Sequence, residues 1–173
     1  MLIILAGLPG TGKTTIARAL AKRLGAMHLR IDTIEQQIRA FNAPGFDIGP
    51  AGYMIAYAVA EDNLILGNTV VADSVNPLEI TRAAWRSVAE RSGTPAVEIE
   101  VVCSDNAEHR RRAETRVVDV PGLRRPTWEE ITGRAYEDWG ERPIVVDTAS
   151  MSPDEIVDAF VSRLGLVRGT GMP

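Results

Sequence analysis

A chain of 173 residues with 45% hydrophobic content suits one well-packed domain and is short for two. A formal charge of −4 and a pI near 5.3 argue against a protein built to coat nucleic acid, while leaving room for local basic clusters. No stretch reaches the roughly 20 apolar residues that a membrane-spanning helix needs. The lone cysteine, Cys103, permits no internal disulfide, so a reducing, cytoplasmic setting is expected.

Leu2 to Ala6 is a short apolar run that reads as a buried parallel strand. Lacking a basic flank, it does not read as a signal peptide. It leads directly into Gly7-Leu8-Pro9-Gly10-Thr11-Gly12-Lys13-Thr14, which fits the P-loop pattern in full and is followed by Thr15. Ile16, Leu20 and Leu24, backed by Ala17 and Ala21, then form a helical stripe, so the motif has its required setting of strand, loop and helix. In such a loop, glycines let successive N–H groups turn toward phosphate oxygens, and the helix N-terminus adds partial positive charge. Lys13 is expected on the β- and γ-phosphates of ATP, and the Thr14 hydroxyl on Mg²⁺.

Met27 to Ile31 reads as a second strand, followed by a helix with Ile34, Ile38 and Phe41 at helical spacing. Asn42 to Pro50 is rich in Gly and Pro and gives way to a mainly apolar helix over 51–66. There, Tyr53 and Tyr57 either pack in the core or face a substrate. Thr69 to Ala72 is a third strand, and Asn76-Pro77-Leu78-Glu79 predicts a capped helix start, with Ile80, Ala84 and Val88 inward. Ala96 to Val102 is a fourth strand ending at Cys103, which reads as a structural residue, and Asp105 with Glu108 opens the next helix. From Val117 to Pro126 the pattern stops. Thr127 and Glu130 predict a capping box for a helix bearing Trp128, Ile131, Ala135 and Trp139 on one face. Pro143 to Val146 is a fifth strand, Ser152 to Glu155 caps a last helix with Ile156, Phe160 and Leu164 inward, and the tail from Arg168 is expected to fray.

This alternation predicts an α/β fold, a three-layer α/β/α sandwich with ligands beyond the carboxyl ends of the parallel strands. Polar residues collect at those ends: Asp32, Asp73-Ser74, Ser104-Asp105 and Asp147-Thr148. Asp73 is the best placed to join Thr14 around Mg²⁺, although a strand-ending aspartate can also cap a turn. Asp32 could be a general base, help bind Mg²⁺, or head the capping box Asp32-Thr33-Ile34-Glu35. The basic residues Arg110, Arg111, Arg112 and Arg116, with Arg124, Arg125 and Arg134, could stabilise a transferring phosphoryl group or stack on adenine. A solvated helix face paired with Glu108 and Glu114 is the alternative. His28 reads as a strand residue and His109 as a surface residue.

These motifs resemble the small P-loop kinases, a group that includes shikimate and gluconate kinases, chloramphenicol phosphotransferase and the kinase domain of polynucleotide kinase. The likeness rests on the P-loop near residue seven, Arg30-Ile31-Asp32-Thr33, Val70-Val71-Ala72-Asp73, and the arginine-rich helix running into a loop. It implies a five-stranded parallel sheet of order 2-3-1-4-5 and transfer of the γ-phosphoryl group of ATP·Mg²⁺ to an acceptor. It also implies a lid over about 110–126, with Arg112 and Arg116 near the nucleotide and Arg124 or Arg125 near the phosphates. The acceptor site would lie about 32–57. Paired aspartates at strand two and a triple-glycine run after strand three are missing, so shikimate is not expected as the acceptor. A small hydroxylated molecule is the favoured acceptor; a nucleic acid 5′-hydroxyl end or nucleoside is an alternative, and an ATP-binding switch without acceptor is another. No membrane partner is expected.

Overall fold

The computed structural model describes residues 1–140 and 143–165, so the expected fraying of the tail falls outside the described residues. Five parallel strands form one sheet in the order β2-β3-β1-β4-β5. They are β1 (Leu2–Ala6), β2 (Met27–Arg30), β3 (Val70–Asp73), β4 (Ala96–Val102) and β5 (Ile144–Asp147). Every residue of β1 is buried, as expected of a central strand covered on both faces. Its alternation divides the core in two. Ile3 and Leu5 join Ile16, Leu20, Val101 and Phe160 on one side, under α1 (Lys13–Leu24) and α7 (Pro153–Arg163). Leu2 and Ile4 join Leu29, Ala56, Ala60 and Trp85 on the other, under α3 (Ala51–Ile65) and α4 (Glu79–Arg91).

The crossovers differ from the sequence reading where local geometry overrides pattern. β2 passes straight into α2 (Ile31–Phe41) with Arg30 at the N-cap and no side-chain cap. Asp32 therefore sits inside the first turn and heads no capping box; its charge complements the helix N-terminus instead. Phe41 keeps helical spacing with Ile34 and Ile38 but is 92% exposed, because α2 packs by its earlier turns. Tyr53 and Tyr57 do pack, with Tyr57 edge-on to Trp85 at 4.6 Å.

α4 begins later than expected, at Glu79, and Leu78 caps it without a side-chain bond. Asn76 is fully buried with φ of 50°, so it belongs to the turn after β3 and not to a helix cap. The buried face is Arg82, Trp85, Val88 and Ala89, with Ile80 exposed. Arg82 escapes pattern reading because arginine is rarely interior. Here it donates to the carbonyl oxygens of Asn76, Pro77, Glu137 and Asp138 and lies 4.0 Å from the Trp139 ring centre.

α5 (Asn106–Thr115) is capped by Asp105 as expected. α6 keeps the Thr127–Glu130 capping box but runs only Trp128–Thr132, ending at Gly133. Trp139 is buried against Arg82 and not along a helix: its helical spacing from Trp128 was coincidental. Cys103 is buried and free. Among the described residues, no helix is long and apolar enough to cross a membrane.

Candidate active site

Phosphate binding by a P-loop requires N–H groups facing inward, hence carbonyls held elsewhere. The Leu8 carbonyl accepts from the Thr11 hydroxyl at 2.9 Å, the Thr11 carbonyl from the Thr148 hydroxyl at 2.8 Å, and the Pro9 carbonyl from His109 Nε2 at 3.0 Å. A carbonyl can only accept, so Nε2 carries the proton. His109 was expected at the surface; it is buried edge-on against Trp128. The loop also packs too closely for side chains. A Cβ on Gly7 would lie 2.2 Å from the Val101 carbonyl oxygen, and one on Gly10 would lie 3.0 Å from Ala113 of α5.

At the loop's end, Lys13 Nζ lies 3.6 Å from Asp73 Oδ1 and the Thr14 hydroxyl 3.4 Å from the same oxygen. His28 Nε2 donates to Asp73 Oδ2 at 3.1 Å. Burial alone would raise the Asp73 carboxyl; the Lys13 ammonium and the His28 and Thr14 hydrogen bonds outweigh it and hold the pKa below its ordinary value. An anionic carboxylate beside a P-loop hydroxyl suits Mg²⁺, which takes one or two protein oxygens together with phosphates and water. Asp73 and Thr14 offer one carboxylate and one hydroxyl 3.4 Å apart, a donor set that fits that mode.

Two cavities adjoin here. One, of about 330 Å³, is lined by Leu8, Gly10 and the run Gly12 to Thr15 of the P-loop together with Arg18, Arg30, Arg112, Arg116 and Asp119. The other, of about 540 Å³, is lined by Asp32, Glu35 and Arg39 of α2 and by Arg124 and Arg134. Lys13, Thr14 and Arg116 line both. The structure thus brings Asp32, Asp73, Arg112, Arg116 and Arg124 around the loop. Arg125 is the exception. It donates to the Glu114 carbonyl, lies 3.5 Å from that of Arg116, and lines neither cavity.

Within the arginine-rich helix the roles divide. Arg110 pairs with Glu114 and Arg111 with Glu108, the solvated-face alternative. Arg112 also meets Glu108, but it donates to the Thr148 hydroxyl at 2.9 Å and so joins α5 to the end of β5. Arg116, just beyond the helix, has no side-chain partner among the described residues. The ties made by His28, Arg30, Asp119 and Thr148 have no signature in the sequence. Their roles depend on partners 45 to 137 positions away, which no local pattern carries.

Residues 2–135 match the AAA domain family. The chain belongs to this family of P-loop kinases. The kinase is 28% identical to a shikimate kinase of Frankia casuarinae, over 99% of this chain and 76% of the relative. Its fold is that of a putative kinase from Chloroflexus aurantiacus, with a TM-score of 0.72 at 20% identity, covering 93% of this chain and 96% of that one. Kti12 of Chaetomium thermophilum, in complex with ADP-AlF3, is similar with a TM-score of 0.69 at 21% identity, covering 94% and 98%.

Proposed function

We propose that this kinase, working as one domain, transfers the γ-phosphoryl group of ATP to a hydroxyl of a small molecule. The observation that carries the reading is the shared wall: Lys13, Thr14 and Arg116 line both the P-loop cavity and the α2 cavity. A donor phosphate in the first would meet an acceptor in the second at those residues. The named relatives support phosphotransfer as the chemistry, and the nucleotide complex of a structural neighbour supports the donor.

In this reading the loop from Gly7 to Thr15 cradles the β- and γ-phosphates through its inward amides, those of Gly10, Gly12, Lys13 and Thr14 among them, and Lys13 and Arg116 balance charge as it develops on the transferring group. Arg112 lies toward the nucleotide, and the region 110–126 closes as a lid, with Arg124 and Arg125 contributing to it. Mg²⁺, held by Thr14 and by Asp73 directly or through water, neutralises phosphate charge when bound. Asp32 takes the proton of the acceptor hydroxyl, whose oxygen bonds to the γ-phosphorus as the bond to ADP breaks. The acceptor contacts the region 32–57.

The test is ADP release from Mg·ATP against a panel of hydroxylated metabolites, nucleosides, antibiotics and 5′-hydroxyl oligonucleotides. An acceptor should raise the rate well above the water rate, and Lys13→Ala should lower that rate about 10³-fold with the chain still folded by circular dichroism. Near-normal transfer by Lys13→Ala, or tight ATP binding with no stimulation by any compound, would sink the reading.

A further inference from the structure

Arg30 closes β2 with its side chain only 8% exposed. Its three guanidinium nitrogens face three carboxylates from different parts of the chain. Nη1 donates to both oxygens of Asp119, at 2.9 and 3.0 Å. Nη2 lies 3.7 Å from Asp32 Oδ2, and Nε lies 4.0 Å from Asp73 Oδ2 with no hydrogen-bond partner of its own. We propose that Arg30 is a positioning residue that clasps the lid loop, through Asp119, to the α2 carboxylate Asp32.

Asp119 belongs to the irregular loop between α5 and α6, and Arg18 of α1 donates to it from the other side. Among the described residues, the remaining side-chain ties of 117–126 stay local: Arg124 to Glu130 of α6, and Arg125 to the carbonyl end of α5. Asp119 alone among the described residues makes an ionic tie from this loop to α1 and β2, beside the buried Val120 and the approach of Gly122 to Gln36 of α2. Burial would raise the Asp119 carboxyl, but Arg18 and Arg30 outweigh it and hold the pKa at about 2, so the loop's end of the clasp is charged at neutral pH. A guanidinium spreads its donors over three nitrogens of one rigid plane, so it spans carboxylates set farther apart than the single nitrogen of an ammonium reaches. Seating of the loop and placement of Asp32 are thereby tied to one side chain.

The proposal is tested first without nucleotide, by limited trypsin digestion with mass-spectrometric mapping of the cuts. Asp119→Asn keeps the shape of the side chain and removes its charge. Cleavage after Arg124 should become about tenfold faster, because cutting follows the population of the opened loop, while cleavage elsewhere stays close to the parental rate. Arg30→Lys should do the same. A parental rate at Arg124 in Asp119→Asn, or faster cutting spread along the whole chain, overturns the clasp. Where an acceptor is in hand, the clasp rests on the phosphotransfer reading and predicts a second effect: ADP formed without acceptor, relative to transfer, should rise about tenfold in Asp119→Asn as water gains entry. An unchanged ratio overturns the coupling to Asp32. If no acceptor is found, the phosphotransfer reading fails while the digestion still decides the clasp.

Discussion

The two cavities are built by different means. Around the P-loop, backbone geometry does most of the shaping: carbonyls are tied down by Thr11, His109 and Thr148, and α5 lies against Gly10. Around α2, long charged side chains do it. Glu35 pairs with Arg39 and Arg124 with Glu130, all on partly exposed stems. The contrast teaches where a kinase can change without losing its donor. A wall of guanidinium and carboxylate groups can be altered by single substitutions, whereas the path of the phosphate cradle is fixed by backbone contacts at Gly7 and Gly10 that leave no room for a side chain.

The strongest way to break this contrast is to give the cradle one methyl group. Gly7→Ala places a Cβ 2.2 Å from the Val101 carbonyl oxygen at a φ of 138°. It should cost about 3 kcal/mol of unfolding free energy and abolish ATP binding, as read by calorimetry. Normal binding would mean that the loop yields and the contrast is false. Next comes Asp32→Asn, which tests whether the α2 side holds chemistry or only recognition. Transfer should fall about 10²-fold in kcat with ATP affinity retained; equal loss in both would make Asp32 a helix-turn charge. The smallest effect belongs to Arg124→Gln. Its side chain is 70% exposed beside Glu130, so stability should shift by less than about 0.5 kcal/mol, with any change confined to acceptor KM in steady-state kinetics.

The contrast also governs what the sequence discloses. β1 was readable to the residue because a continuous apolar run marks a strand covered on both faces, whereas in β4 only Ile99 and Val101 are buried, with Glu98 and Glu100 alternating beside them. The P-loop was readable because its function lies in eight consecutive residues. α6 was read too long: Ala135 and Trp139 keep helical spacing, but Gly133 ends the helix and Arg82 draws the following segment to itself. Arg30, Asp32, Asp73 and Asp119 meet only because β2 and β3 pair in register, Arg30 opposite Asp73, and because the loop after α5 returns across α1. His28 sits in the same strand as Arg30, and its bond to Asp73 follows from that pairing. No spacing in the chain announces either contact.

Arg82 has one more consequence. Its charge is fully buried, held by carbonyl oxygens and aromatic faces with no carboxylate beside it among the described residues. Mobile ions cannot approach it, so the positive potential it lends to the turn after β3 is not screened as that of the exposed arginines is. Raising ionic strength should therefore weaken the exposed ion pairs of α5 well before it loosens the turn that Arg82 holds.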